Sequence, residues 1–217
     1  MRFNIKHFPE APCMDKDMEI HNNHAEDSKK TDLQSSVLLY LHDLVFLLAG
    51  FLLILLLLFR IVIVDGPSMR NTLIDGDYLL LLSNTFYTQP QYGDIVVASK
   101  DDFKDGEPII KRVIATEGQT VDIDFEAGIV YVDGVALVEE YTRTPTNLAE
   151  GMAFPLTVGE GCLFVMGDNR NESKDSRNPE IGLIDTREIL GKAIVLLFPG
   201  TDGGKIEPQY NRIGVLS

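Results

Sequence analysis

The chain has 217 residues and a formal net charge of −14, from 19 Lys and Arg against 33 Asp and Glu. An acidic balance of this size leaves no basic face for a phosphate backbone, which excludes nucleic acid as a partner. The two cysteines, Cys13 and Cys162, lie on opposite sides of an apolar run, and no Cys/His cluster is present, so neither a disulfide frame nor a metal or other cofactor is expected.

Residues 1–36 are polar and of mixed charge, with five Lys and Arg against seven Asp and Glu, and read as a mobile tail. Leu44 to Phe59 then runs sixteen residues without a charge. Extended through Arg60 to Val64, it approaches the ~20 residues needed to cross a bilayer, with Arg60 able to snorkel to the interface. A core helix so uniformly apolar would be out of place in a small domain. The stretch Ile61-Val62-Ile63-Val64-Asp65 also lacks the small residues of a signal-peptide cut. The expectation is an uncleaved transmembrane anchor over 37–64 in a lipid bilayer. Lys29 and Lys30 before it and Arg60 and Arg70 after it leave the orientation open by charge.

Residues 65–217 form a region large enough for one core. It is itself acidic, with 13 Lys and Arg against 25 Asp and Glu. Short β-prone runs broken by turns predict strands at 77–82, 94–98, 108–115, 119–124, 162–166 and 189–198. Asp133-Gly134, between Val130–Val132 and Val135, is the signature of a type I′ hairpin. Helical periodicity of any length is missing, and 139–160, rich in Gly and Pro, reads as an excursion between strands. The predicted fold is a mostly-β domain, a barrel or packed sheets.

Asp65-Gly66-Pro67-Ser68-Met69 places one serine in a bend just past the apolar run. Such a bend can expose the hydroxyl and aim its own N–H at a bound carbonyl, although turns favour these residues without any chemistry. All four histidines precede Ser68, so a domain downstream of the anchor has no imidazole base. Lys111 lies in Ile109-Ile110-Lys111-Arg112-Val113-Ile114. On a strand, Lys111 and Arg112 fall on opposite faces, each in an apolar row. Burial disfavours the ammonium form and makes the amine a candidate base; the plainer alternative is an edge-strand lysine reaching water. The polar segment Gly167–Arg177 offers what a buried lysine needs: hydroxyls at Ser173 or Ser176 to orient it, and Asp175 with Arg177, or Asp168 with Arg112, as pairs able to compensate charge.

On these residues the chain resembles the type I signal peptidases. The blocks, in the family's order, are Gly-Pro-Ser-Met at 66–69 with Thr72-Leu73 and Gly76-Asp77; Tyr92-Gly93-Asp94-Ile95-Val96; Ile110–Ala115 with Gly118; and Gly167-Asp168-Asn169-Arg170 through Asp175-Ser176-Arg177, closing with Gly182-Leu183-Ile184 and Gly191-Lys192-Ala193. The resemblance implies a membrane-bound serine endopeptidase that removes signal peptides from exported preproteins through an acyl-enzyme. It implies a Ser68 nucleophile, a Lys111 base, Ser173 orienting the lysine, Asp168 pairing with Arg112, and Asp175 with Arg177 as a supporting salt bridge. It also implies a cytoplasmic N-terminus, an extracytoplasmic catalytic domain and an apolar surface near the membrane. Gly66 stands where some members carry a hydroxyl that helps hold the oxyanion, so another backbone N–H is expected there.

Two other readings compete. A Ser/Lys self-cleaving repressor would need a basic DNA-binding segment, and residues 1–36 are acidic. A membrane-anchored β module that only binds exported proteins would leave Ser68 unreactive toward acylating probes.

Overall fold

The computed structural model describes residues 16–100, 103 and 106–216, and the chain falls into two compact units that divide between Leu53 and Ile54. The first holds most of helix α1, Lys16–Leu58. Its stretch Ser36–Leu58 is 23 residues long and apolar enough to cross a membrane. Leu38, Phe46 and Leu53 are exposed on it, so its apolar residues form no buried stripe. By length and composition this stretch fits a membrane-spanning helix. Residues 16–35, expected as an unstructured tail, have helical backbone instead. No Pro or Gly interrupts the chain from Lys16 to the apolar run, so the helix propagates backward from it. The tail's residues 1–15 lie outside the described residues.

The expected anchor ran to Val64, but the helix ends at Leu58 and Phe59–Ile63 is strand β1. The turnover follows residue type. Ile61, Val62 and Ile63 are β-branched, and they pair antiparallel with the next strand in the register Phe59↔Leu82 through Ile63↔Tyr78. The β region therefore begins at Phe59 and not at Asp65.

That region is mostly β, as expected. The strands after β1 are β2 (Tyr78–Ser83), β3 (Ile95–Ala98), β4 (Ile109–Thr116), β5 (Thr120–Asp124), β6 (Ile129–Val132), β7 (Val135–Ala136), β8 (Leu156–Thr157), β9 (Cys162–Met166), β10 (Ile184–Asp185), β11 (Ile189–Phe198) and β12 (Gly214–Val215). One antiparallel sheet runs β1-β2-β11-β3-β4-β9-β10, with β12 also on β11; a second runs β7-β6-β5-β8. In β2, Leu79, Leu81 and Ser83 face inward in strict alternation. Leu79 and Leu81 pack with Val64, Met69, Leu73 and Leu196 in one core cluster. Asp133 and Gly134 take φ of 53° and 78°, the positive values a type I′ turn requires, and Val132 pairs with Val135 across it.

Strand β4 is central and buried on both faces from Ile110 to Ala115. It carries Lys111 to one side and Arg112 to the other. Three segments supply the site: β1 runs into the Ser68 turn, β4 carries the lysine, and β9 runs directly into Gly167.

Candidate active site

The Ser68 turn belongs to a closed loop. Val64 N donates to Asp77 O at 2.9 Å and Gly76 N returns a bond to Val64 O at 2.9 Å, joining its two ends. Within it, Gly66 has φ +89°, a conformation that strains any side chain, and its N–H donates to Asp75 Oδ1 at 2.9 Å. Met69, 1% exposed, plugs into the core and anchors the residue next to the serine. From the other side Asn169 clamps the turn: its N–H donates to Ser68 O at 3.0 Å and its Nδ2 to Pro67 O at 3.1 Å.

Held this way, the Ser68 hydroxyl meets Lys111. Lys111 Nζ lies 2.8 Å from Ser68 Oγ and donates to Ile110 O at 3.0 Å, and the lysine is only 4% exposed. The two residues are 43 positions apart in sequence, the lysine on β4 and the serine on the loop that follows β1.

On the opposite face of β4, Arg112 is 2% exposed and Asp168 is fully buried. The pair is bidentate, with Arg112 Nε and Nη2 donating to Asp168 Oδ1 and Oδ2 at 2.9 Å each. The rest of the guanidinium is also satisfied: Nη1 donates to Gly93 O at 2.7 Å, and Cζ lies 4.1 Å from the Tyr141 ring centre. Thr72 Oγ1 donates to Asp168 Oδ2 at 2.5 Å and ties the Ser68 loop to this pair.

The segment after β9 turns back on itself around Asp175 and Arg177, both fully buried. Arg177 Nε and Nη2 donate to Asp175 at 2.8 Å each, and Nη2 also reaches Arg170 O at 2.6 Å and Ser173 O at 3.3 Å. Asp175 Oδ2 accepts from Gly167 N at 3.0 Å. Ser173 is 3% exposed, and its Oγ lies 3.4 Å from Lys174 O. A Cβ on Gly167 would fall 2.2 Å from Ser173 Oγ and 2.5 Å from Ser68 O, so the missing side chain is what lets the two serine segments close on each other. Glu150 sits 3.5 Å from Arg177, with its Oε2 buried and without a hydrogen bond among the described residues. Burial, and then the Asp175 charge, push its carboxyl above the usual range, against the opposing pull of Arg177.

Of the residues singled out in the sequence, Ser68 and Lys111 meet directly, Arg112 and Asp168 pair on the other face of β4, and Asp175 and Arg177 brace the segment that carries Ser173, with Gly66 turning the chain ahead of the serine. Several contacts were not foreseen. Asn169 and Thr72 belong to the motif blocks, but their spacing carried no sign of a role. Glu139 and Tyr141 come from the excursion after β7. Glu139 pairs with buried Arg170 and accepts from Tyr141 Oη at 2.8 Å, while burial and then the Glu139 charge push the Tyr141 phenol well up.

A cavity of about 490 Å³ opens over the Ser68–Lys111 contact. Val62, Val64, Ile109 and Ile110 make its sides aliphatic, and Asp65 and Glu172 stand among its acidic residues. Two open strand edges border it. Among the described residues, β1 pairs with β2 alone, and β9 takes up β4 only from Arg112 onward, leaving Ile109–Lys111 paired on the β3 side only. Among the described residues, no group of three or more His, Cys, Asp and Glu could hold a metal ion.

Comparison with known proteins points to one family. The model of the family "Signal peptidase, peptidase S26" matches residues 37–198. A probable signal peptidase I-1 of Synechocystis sp. is 38% identical over 152 residues, covering 66% of this chain and 73% of that protein. A signal peptidase I of Bacillus licheniformis is 33% identical over 181 residues, covering 80% and 95%. A signal peptidase I of Enterococcus faecalis with a solved structure aligns at 29% identity and a TM-score of 0.39, covering 48% of this chain and 97% of that one.

Proposed function

Because the chain belongs to the signal peptidase family, peptidase S26, we propose that it removes signal peptides from exported preproteins with a Ser68/Lys111 dyad and an acyl-enzyme intermediate. The observation that carries the dyad is the 2.8 Å approach of Lys111 Nζ to Ser68 Oγ at a lysine 4% exposed. A dry setting disfavours the ammonium form, and an amine in its neutral form can take the hydroxyl proton as Ser68 attacks. The Ser68 N–H supports the oxyanion. The Gly66 N–H is held by Asp75, and a different backbone N–H is the second donor we propose. The amine then protonates the leaving amino group and activates the water that releases the acyl chain.

The substrate enters as an extended segment between the open edges of β1 and Ile109–Lys111, bonding through main-chain groups. Aliphatic walls this close to the serine favour small side chains at the positions before the cut, because larger ones clash. Ser173 packs across Gly167 from the Ser68 turn and positions the amine. Asp168 with Arg112, and Asp175 with Arg177, hold the loops and leave no charge stranded in the core. Ser36–Leu58 anchors the enzyme in the plasma membrane as a single span, the N-terminal segment being cytoplasmic and the β region extracytoplasmic, where exported preproteins emerge.

The test is cleavage of a model preprotein with Ala-x-Ala before the bond, using detergent-solubilised full-length protein. Ser68→Ala and Lys111→Ala should each abolish turnover while retaining the wild-type circular dichroism. Wild-type cleavage should also climb as the pH rises and the amine loses its proton. Substantial turnover by Lys111→Ala would remove the lysine from its role as base.

A further inference from the structure

The family match ends at residue 198, yet the chain beyond it is bonded directly to the loop that carries Ser68. Arg212 is the main contact. Its Nη1 donates to Asp77 Oδ1 at 3.0 Å and its Nη2 to Asp77 Oδ2 at 2.6 Å, and Nη2 also donates to Thr72 O at 3.0 Å. Asp77 is fully buried and closes the loop's base, since its carboxylate also accepts from Ile74 N at 2.7 Å and Gly200 N at 2.6 Å. A second contact joins Asp202 to Arg70, two residues after the serine. Asp202 N donates to Asp75 O at 3.1 Å, and Asp75 is the residue whose side chain holds Gly66 N.

The approach is backbone against backbone. A Cβ on Gly200 would lie 2.3 Å from Asp75 O and 2.6 Å from Asp77 N. The far end of the segment is tied down as well, because β12 pairs with Val195 and Leu196 of β11 and Leu216 packs on the core cluster that contains Met69. Thr72 is gripped at two points: its carbonyl by Arg212 and its hydroxyl by Asp168, at 2.5 Å, which in turn holds Arg112.

From this geometry we infer that residues 200–216 are a clasp that sets the position of the Ser68 loop, with Arg212 as a positioning residue for the Ser68 hydroxyl. The inference rests on Ser68 being the nucleophile. Arg212 touches no reacting atom. It acts on Thr72 and Asp77, which bracket the turn leading back from the serine, and so fixes how the hydroxyl approaches Lys111. A displacement of about 1 Å in a reacting group can cost on the order of a hundredfold in rate. A clasp of this kind therefore acts more on kcat than on substrate binding, because the strand edges proposed to hold the substrate, β1 and Ile109–Ile110, are not among the residues it hydrogen-bonds.

The experiment compares full-length Arg212→Gln, Arg212→Lys and Val130→Ala with wild type, each assayed well below its own Tm. Val130 is fully buried in the other sheet's core and serves as a destabilised control that leaves the clasp intact. Arg212→Gln should lower kcat about tenfold or more, with KM changed less than about twofold. Arg212→Lys should fall between it and wild type, because lysine restores the charge on Asp77 but not the forked reach to Thr72 O. Val130→Ala should keep wild-type kcat. A wild-type kcat in Arg212→Gln, or an equal kcat loss in Val130→Ala, overturns the clasp. Ser68→Ala is measured alongside. Lost cleavage there with intact Arg212→Gln activity refutes the clasp alone, whereas retained cleavage in Ser68→Ala refutes the nucleophile on which the clasp is built.

Discussion

Removing the Asp168 carboxylate should be among the costliest single changes this fold can suffer. The side chain is fully buried and accepts from Arg112 Nε, Arg112 Nη2 and Thr72 Oγ1 at 2.9, 2.9 and 2.5 Å. In Asp168→Ala the guanidinium stays behind, 2% exposed, with its carboxylate gone. Breaking a buried pair in this way costs roughly 3–5 kcal/mol, against a total stability of about 5–15 kcal/mol for a domain. The loss is therefore a large fraction of the whole, and the urea midpoint of the solubilised protein, followed by circular dichroism, should drop sharply at an unchanged slope. The cause can be separated from simple loss of packing. If the stranded charge is what destabilises, Asp168→Ala combined with Arg112→Met should be more stable than Asp168→Ala alone, since the second change removes the uncompensated cation. A double variant less stable than the single one, or an Asp168→Ala midpoint equal to wild type, would refute the reasoning.

Gly167→Ala should cut cleavage by on the order of a hundredfold, because its Cβ would fall 2.2 Å from Ser173 Oγ and 2.5 Å from Ser68 O and one segment must retreat; a wild-type kcat on a model preprotein would contradict that contact. Glu150→Gln should raise the Tm at neutral pH. The Glu150 carboxyl is held above its ordinary range, so the folded state favours the protonated form. That stabilisation is complete below the unfolded pKa and is lost as pH rises through the folded one. The advantage of the variant should therefore shrink as pH is lowered toward about 4, and a gap that widened on acidification would reverse the sign of the argument. Ile63→Pro should raise KM for a preprotein while leaving Tm nearly unchanged. Val64 N donates toward β2's side, to Asp77 O, so the alternating N–H of Ile63 faces the open edge on which the substrate is proposed to lie, and proline removes that donor; an unchanged KM would place the substrate elsewhere.

What could be read in advance was whatever local chemistry decides. Apolar runs between turns placed β2, β9 and β11, and Asp133-Gly134 dictated its turn because positive φ is cheap there. The end of the long apolar helix was not legible in the same way. Phe59 to Val64 is nearly as apolar as the helix before it, and what makes it a strand is a separate segment, β2, paired with it from Phe59↔Leu82 to Ile63↔Tyr78. Hydropathy sees only the single chain, and strand pairing is a property of two segments.

The same limit separates the readable part of the site from the rest. Lys111 and Arg112 stood out because charges in an apolar row need an explanation within the row itself, and β4 proves buried on both faces. Asn169, Thr72, Tyr141 and Arg212 carry no such local signal. Each is an ordinary polar residue on a turn or loop, and each acquires its role only when folding brings it against a carbonyl, a carboxylate or a guanidinium far away in the chain. A buried lysine beside one hydroxyl tolerates no drift, and the contacts that prevent drift are long-range. The chemistry of this site is therefore written in a few conspicuous residues, and its precision in many inconspicuous ones.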